Sequence, residues 1–307
     1  MKIASLLLAV SALAGGVAFA EDAAAVDLSY ARVRPGMVRI SCGENIGTNA
    51  DELIGYYSLK IDSPFHMDET EVTWGQWKAV REWAVKRPDI KDDAERAEAV
   101  YDLADVGAGK ADDHPVVGVS WFDCLKWCNA RSEKEGLVPC YRTAGNVLRT
   151  RIEGAPVCDF SASGYRLPTA SERDYAARGG RVGARFPNGE TISHTDANYF
   201  SAEGLVDAEG EPYDVAEKRG CHPDFAKGAL PYTSPVKTFP PNGYGLYDMC
   251  GNVAEWIWAS TGASRCTCGG SWDADAAGLR NALRVAHDAP GERADTIGFR
   301  TVRAAGQ

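Results

Sequence analysis

Nine cysteines are the side chains in this 307-residue chain with the greatest capacity for chemistry. A thiolate can bind a soft metal or take part in redox chemistry. Cys266 and Cys268 are two residues apart, and Cys124 and Cys128 lie one helical turn apart. Neither pair has a histidine or a second cysteine pair beside it at zinc-site spacing. Both pairs could hold a metal, but separate structural roles are the simpler interpretation.

The N-terminus predicts export. Met1-Lys2 gives a positive start, Ile3 to Val10 is nearly all apolar, and Ala18-Phe19-Ala20 is typical of a signal-peptidase site. We therefore expect residues 1–20 to be a signal peptide and the protein to be periplasmic or secreted. The apolar run is too short for a membrane span of about 20 residues, and no later segment is long enough, so no membrane span is predicted.

An oxidising destination makes disulfides the default state of cysteines. Cys140 and Cys158 flank a segment that contains glycine and asparagine, and they are the predicted bridge. Because nine is odd, at least one cysteine stays free or pairs between chains.

A glycine-rich acidic segment, NGYGLYDMCGNVAEW (242–256), presents Asp248, Asn252 and Glu255. A hard cation such as calcium prefers carboxylates and main-chain carbonyls that converge from an irregular loop. The alternative is a hydrogen-bonded loop in which Asn252 and Glu255 cap turns.

Composition limits the class of protein. The chain is 45% hydrophobic, which is enough for a folded core, and its net charge is -10. No cluster of lysine and arginine is present, so a nucleic-acid partner is not expected.

The elements that must position these residues are short. Alternating apolar residues predict strands at 38–40 and 57–61, and helical spacing predicts a helix from Trp74 to Lys86. Ser120 and Thr169 are predicted N-caps of two further helices. Residues 21–34 are predicted to be a tail, and 89–113 an exposed acidic insertion with one weak helix. No linker divides the rest, so residues 35–303 are predicted to be a single domain.

Arg166 lies between apolar neighbours, where an unpaired charge is costly. Glu172, six residues later, is its predicted partner.

Five segments together point to a family. They are HPVVGVSWFDCLKWCN (114–129), GYRLPTASERDYAARGG (164–180), NGYGLYDMCGNVAEW (242–256), GGSW (269–272) and IGFR (297–300). In this order the chain resembles the formylglycine-generating enzyme family, also called sulfatase-modifying factors. The resemblance implies an α+β fold, the family's variant of the C-type-lectin-like fold, with little regular secondary structure.

The resemblance also implies calcium. The family's ligands map to the side chains of Asp248 and Glu255 and to the carbonyls of Gly251 and Val253. A second family calcium site maps only in its first half, onto Asn198 and Tyr199.

The family's chemistry does not carry over. Its enzymes oxidise a peptide cysteine with oxygen and copper, and copper(I) needs two thiolates. The two positions that hold those cysteines are Ala274 and Leu279 here. No catalytic residue is therefore assigned, and copper is not expected.

The family's substrate surface maps to a segment rich in polar side chains around one tryptophan. The candidate ligand-binding residues are Trp272, Asp273, Asp275, Arg280 and Arg284, with Asn281 among them. Such a set suits a peptide or a glycan. The equally weighted alternative is that Trp272 packs inside and that Arg284 and Arg300 form structural ion pairs.

Three hypotheses follow. The leading one is an exported, calcium-stabilised binding or accessory module without formylglycine-generating activity, whose partner is a peptide, a glycan or an envelope protein. The second is a divergent metal-dependent oxidoreductase that acts on a peptide or a small thiol and uses Cys266 and Cys268. The third is a purely structural envelope protein.

Overall fold

The structure is a computed structural model, and it describes residues 36–48, 56–150, 154–261 and 263–306. The predicted signal peptide (1–20) and tail (21–34) lie outside the described residues. The helices are α1 (Trp74–Lys86), α2 (Asp93–Ala99), α3 (Trp121–Lys134) and α4 (Ala170–Ala177), with a 3-10 helix at Ala276–Leu279. The strands are β1 (Met37–Ile40), β2 (Gly43–Thr48), β3 (Tyr56–Ile61), β4 (Phe65–Asp68), β5 (Tyr141–Thr143), β6 (Asn146–Val147), β7 (Val157–Cys158), β8 (Phe200–Ser201), β9 (Gly220–Cys221), β10 (Ala254–Thr261), β11 (Ser264–Cys268), β12 (Arg284–His287), β13 (Ile297–Gly298) and β14 (Val302–Ala304).

Capping boxes start three of the helices. Thr73, Ser120 and Thr169 each accept a hydrogen bond from the main-chain N–H three residues on, and the side chain there bonds back to the cap. The predicted bounds of α1 are confirmed, as are the predicted caps of α3 and α4.

Two small sheets position the site, and the first of them joins the two ends of the domain. In the first, β4 lies between β1 and β14, antiparallel to both. In the second, the order is β12-β11-β10-β13, and β13 runs parallel to β10. The parallel pairing places Glu255 of β10 beside Gly298 of β13, two residues before Arg300.

The main core packs α1 and α3 against each other. Trp77 and Trp127 stack with ring centroids 5.7 Å apart, and Phe299 meets both rings edge-on. Burying three aromatic side chains at one point removes a large apolar area from water, which stabilises the contact between the helices.

The acidic segment 89–113 is exposed only in part. Helix α2 has no buried residue, in agreement with a weak exposed helix. Tyr101, Leu103 and Val106 are buried in the main core, so the second half of the segment is a structural part of the domain. Within the described residues, the structure has no helix with the length and apolar character of a membrane span.

Candidate functional site

The acidic loop 242–256 is attached to the end of α4 by Asn242. The Asn242 amide donates to the carbonyls of Ala176 (2.8 Å) and Ala177 (3.0 Å), and its Oδ1 accepts from the N–H groups of Tyr244 and Leu246. One side chain therefore satisfies carbonyls at the helix end and folds the loop that follows it. Nothing near Asn242 in the sequence indicates this role, because its partners at the end of α4 lie 65 and 66 residues away.

The loop turns through residues in left-handed backbone conformations. Asp248 has φ 51°, Gly251 has φ 75° and Asn252 has φ 60°. A Cβ on Gly251 would stand 2.5 Å from the carbonyl oxygen of Asn198, so only glycine fits there. The N–H of Asn252 donates to that same carbonyl (2.8 Å). These contacts fix the loop against the segment that contains Asn198.

Glu255 is the centre of a buried ion-pair network. Its Oε2 accepts from Arg173 Nε (2.8 Å), and its Oε1 accepts from Arg300 Nη2 (2.8 Å) and Nε (2.9 Å). Glu255 and Arg300 are fully buried, and Arg173 is 3% exposed. Burial opposes ionisation, but Arg173 and Arg300 hold the pKa of Glu255 below its ordinary value.

This network bears directly on the expected calcium ligand set. Both oxygens of Glu255 accept hydrogen bonds from arginine, so neither presents a free lone pair in the way a cation ligand must. Arg173 could not have been assigned from spacing, because it lies 82 residues from Glu255 in the sequence. In this structure, Glu255 serves the fold of the loop.

Two other carboxylates in the loop region do have open oxygens. Asp248 Oδ1 and Glu71 Oε1 are buried, and neither has a hydrogen-bond partner in the described part of the chain. The second oxygen of Asp248 accepts from the N–H of Lys237 (2.8 Å), and that of Glu71 lies 3.5 Å from the amide of Asn252. Burial raises the pKa of Asp248 to about 6, and burial together with the Asp248 charge raises the pKa of Glu71 well above its ordinary value.

These open oxygens decide how well the region suits calcium. Among the described residues, no three His, Cys, Asp or Glu side chains gather as a metal site. Asp248 and Glu71 nevertheless fit a hard cation, since each offers a buried carboxylate oxygen without a partner. Glu255 does not fit. Glu71 was absent from the expected set, because its position before α1 indicated only a helix start.

The residues of the second expected calcium site both have protein partners. The Asn198 amide donates to the carbonyl of Tyr232 (2.8 Å), and the Tyr199 hydroxyl donates to Asp214 Oδ1 (2.7 Å). Both are buried, and their contacts tie neighbouring loops together.

The two positions of the family's copper-binding cysteines lie in an apolar cluster. Leu279 is fully buried on the 3-10 helix, and Ala274 is half-buried against the same group. The buried members of this cluster are Phe186, Ile192, Ala197, Tyr199, Tyr213, Ala216, Cys250, Ala276 and Leu279. Burial raises the pKa of the Cys250 thiol to about 12. A single protonated thiol does not provide the two thiolates that copper(I) needs.

Cys266 and Cys268 lie on one face of β11, in a small buried cluster with Ile257. Burial raises the pKa of Cys268 to about 11, so it is a thiol at neutral pH. A thiol is a poor nucleophile and a poor metal ligand compared with the thiolate.

The predicted disulfide between Cys140 and Cys158 is not formed in the structure, where both are thiols. The pairing of β5 with β7 places Cys158 opposite Tyr141, and the N–H of Asp159 bonds to the carbonyl of Cys140. The two cysteines are therefore neighbours across this strand pair, and the charge of Cys140 adds to burial in raising the pKa of Cys158 to about 12. All nine cysteines fall within the described ranges, and none is in a disulfide.

Trp272 packs inward. It is 6% exposed, its indole N–H donates to the carbonyl of Asp295 (3.2 Å), and its ring meets Tyr232 edge-on at 5.4 Å. Asp273 is exposed and accepts from the hydroxyl of Ser271 (2.6 Å). The tryptophan therefore does not form an open stacking platform.

The other residues of the expected ligand surface are engaged locally. Asp275 caps the 3-10 helix through the main-chain N–H three residues on (3.0 Å), and Arg280 donates to the carbonyl three residues before it (3.1 Å). Asn281 is buried. Arg284 is exposed, and its guanidinium lies 3.8 Å from Asp174. Arg284 and Asp273 are the members of the set that face solvent.

Comparisons with known proteins agree with this architecture. Residues 25–305 match the family model described as the sulfatase-modifying factor enzyme 1-like domain. The formylglycine-generating enzyme of Streptomyces coelicolor is 29% identical over 86% of this chain and 88% of its own. The chaperone protein LppX of Paenibacillus barcinonensis is 30% identical over 64% of this chain, which spans 62% of that relative's length. The crystal structure of CarF superimposes with a TM-score of 0.64 at 29% identity, covering 89% of this chain and 99% of CarF.

Proposed function

Because the chain belongs to the sulfatase-modifying factor family, whose fold it adopts, we propose that it is an exported binding or accessory module without formylglycine-generating activity. The observation that carries this proposal is the pair Ala274 and Leu279 at the positions of the copper-binding cysteines. An alanine and a buried leucine cannot hold copper(I). A fold that supports one chemistry commonly serves another function when its site is lost.

An activity assay tests this proposal. Purified protein is incubated with copper, oxygen and a peptide containing Cys-x-Pro-x-Arg, and aldehyde formation is followed by mass spectrometry. The formylglycine-generating enzyme of Streptomyces coelicolor serves as the positive control. No aldehyde is expected, and copper-dependent conversion of the peptide would contradict the proposal.

The oxidoreductase alternative requires cysteines that are available as thiolates. Burial raises the pKa values of Cys250 and Cys268 to about 12 and about 11, so both are protonated at neutral pH. Binding to a peptide, a glycan or an envelope protein remains the proposed activity, with the solvent-facing Asp273 and Arg284 as candidate contacts.

Calcium is the proposed stabilising ion. Asp248 and Glu71 would supply carboxylate oxygens, and the carbonyls of Gly251 and Val253 remain from the set that the family implies. Two buried carboxylates with unpartnered oxygens repel each other when both are ionised, and a divalent cation between the chain segments that carry them would remove that repulsion. A cation bound only by the native state adds about 2.7 kcal/mol of stability at a hundredfold excess over its Kd.

Thermal unfolding tests the calcium proposal. Calcium should raise the Tm of the wild type, and Asp248→Asn or Glu71→Gln should remove that rise. Glu217→Gln, which changes an exposed carboxylate, is the matched control and should respond like the wild type. A Tm that is the same in calcium and in chelator would contradict the proposal.

Export is tested separately by fractionating the native host and sequencing the N-terminus of the protein. A chain that begins at Glu21 and is found in the periplasm or the medium is expected. An intact Met1 in the cytosolic fraction would contradict export.

A further inference from the structure

A small cavity lies beside the β10–β11 hairpin, near the turn that joins the two strands. Its volume is about 240 Å³, and it is lined by Trp121, Pro156, Trp258, Ala259, Ser260 and Arg265. Ser260 and Arg265 lie directly opposite each other on the two strands, so both side chains point to one face. The cavity is smaller than the usual range of about 300–1,000 Å³ for whole cofactors and drug-sized ligands, so it suits a small group.

Trp258 contributes a hydrogen-bond donor without an acceptor. Its ring stacks on Trp121 at 5.2 Å and meets Tyr141 at 5.1 Å, yet its indole N–H bonds to no atom in the described part of the chain. The neighbouring Trp121 and Trp256, by contrast, donate to main-chain carbonyls at 3.0 and 2.9 Å. Trp258 is only partly buried, so its N–H is available to an acceptor from outside the chain.

Arg265 contributes a charge without a counter-ion. Its guanidinium lies over the Trp121 ring, 4.5 Å from the centroid, and Nη1 makes only long bonds to the carbonyls of Ala263 (3.3 Å) and Ser264 (3.2 Å). No carboxylate of the described residues forms a salt bridge with it, although the chain carries 43 acidic residues. The stack on Trp121 holds the guanidinium plane in place, which favours planar, bidentate recognition.

The chemistry of the lining selects a class of ligand. Among the described residues, the polar side chains that line the cavity offer an indole N–H, a hydroxyl and a guanidinium, and none of them is a carboxylate. The ligand must therefore bring the acceptor oxygens and a negative charge. Pro156 and Ala259 with the indole edges add apolar surface for an uncharged body next to the anionic group.

We propose that this cavity binds the carboxylate of a small organic acid or of a peptide C-terminus, with Arg265 as the bidentate partner of the carboxylate and Trp258 as a second donor. The site goes beyond the proposed function, since it requires neither calcium nor the segment around Trp272.

Spectra of the indole groups test the site on the full mature protein. The ¹H–¹⁵N signal of Trp258 is assigned by its loss in Trp258→Phe, and the protein is titrated with benzoate or with its neutral analogue benzamide. Benzoate should shift the Trp258 signal, and benzamide should bind at least about tenfold more weakly, because hydrogen bonds to a charged group are the stronger ones. N-acetyl-Gly-Phe as the free acid and as the amide distinguishes a peptide terminus from a small acid.

Arg265→Gln should weaken benzoate binding about tenfold or more, and Arg96→Gln, a partly exposed arginine on α2 outside the cavity, should leave it unchanged. Unchanged signals of the six indoles other than Trp258 and Trp121 show that each variant is folded, since Trp121 itself contacts Arg265. Equal binding of benzoate and benzamide, or benzoate binding that survives Arg265→Gln, would overturn the proposal. A negative result in this test does not bear on the calcium and activity assays, because those assays depend on residues outside this cavity.

Discussion

The loop around Glu255 and the cluster around Leu279 are both regions where the family implies a metal, yet they differ in what fills them. At the loop, Asp248 and Glu255 lie with a third buried carboxylate, Glu71, and with two buried arginines. The cluster contains aliphatic and aromatic side chains with one protonated thiol, Cys250. The loop therefore contains charged side chains that fix the path of the chain. Within the part of the chain that the structure describes, the cluster around Leu279 contains no pair of thiolates that could serve redox chemistry.

The largest effect is expected from breaking the loop network. Glu255→Gln leaves Arg173 and Arg300 buried without their carboxylate, and breaking such a pair costs about 3–5 kcal/mol. Urea unfolding of the variant should therefore show a strongly reduced free energy of unfolding. The exposed Glu217→Gln should stay within about 0.5 kcal/mol of the wild type. If Glu255→Gln lowers the free energy of unfolding no more than Glu217→Gln does, the ion-pair network does not stabilise the fold.

The apolar cluster should respond through packing alone. Leu279→Ala leaves a cavity at a fully buried site, and the expected loss is about 3 kcal/mol. Because no charge is removed, this loss should be the same at pH 5 and pH 8. A strong pH dependence of the difference between variant and wild type would mean that a titrating group depends on Leu279.

The loop, in contrast, should be sensitive to pH. Burial raises the pKa of Asp248 to about 6, and burial together with the Asp248 charge raises the pKa of Glu71 well above its ordinary value. A raised folded pKa contributes stability below the unfolded value, and that contribution is lost as pH rises through the folded value. Without calcium, the free energy of unfolding should therefore fall between about pH 4 and pH 6 by on the order of 1–3 kcal/mol from Asp248.

Asp248→Asn should remove most of this fall, because the amide does not titrate. Added calcium should also reduce it, since a bound cation favours the ionised form. Urea unfolding in chelator from pH 4 to pH 8 provides the measurement. A wild-type profile identical to that of Asp248→Asn would contradict the raised pKa.

The smallest effect should come from the cap that starts α4, the helix that carries Arg173. Thr169→Ala removes the hydrogen bond to the N–H of Glu172 (3.2 Å), and loss of an N-cap costs about 1 kcal/mol. Thermal unfolding should show a small drop in Tm, and Thr169→Ser should restore it. A drop as large as that of Glu255→Gln would mean that the cap controls the network as a whole.

The sequence alone predicted the features whose determining residues lie close together along the chain. The caps Ser120 and Thr169 predicted the starts of their helices, and the predicted Arg166–Glu172 pair is confirmed, with bonds of 2.6 and 2.7 Å. The family and its fold followed from segments read in order. Local signals of this kind are carried by hydrogen bonds within a few residues.

The sequence did not predict contacts between residues that are far apart along the chain. Nothing near Glu255 indicates Arg173, 82 residues away, and nothing near Asp248 indicates Glu71. The inward packing of Trp272 and the pairing of Cys158 with Tyr141 across β5 and β7 depend on how whole segments meet. A spacing rule contains no information about such contacts, because they are set by tertiary packing.

Arg300 also constrains the order in which the domain can be assembled. Its guanidinium donates to the carbonyls of Asp68 (3.2 Å) and Tyr247 (2.9 Å) as well as to Glu255, and 232 residues separate it from Asp68. During synthesis, the acidic loop and strand β4 are complete long before residue 300 emerges, so Glu255 has only Arg173 until then. Contacts of such long sequence separation form slowly because their loops are costly to close. The loop is therefore expected to reach its final shape late, after most of the chain has been made.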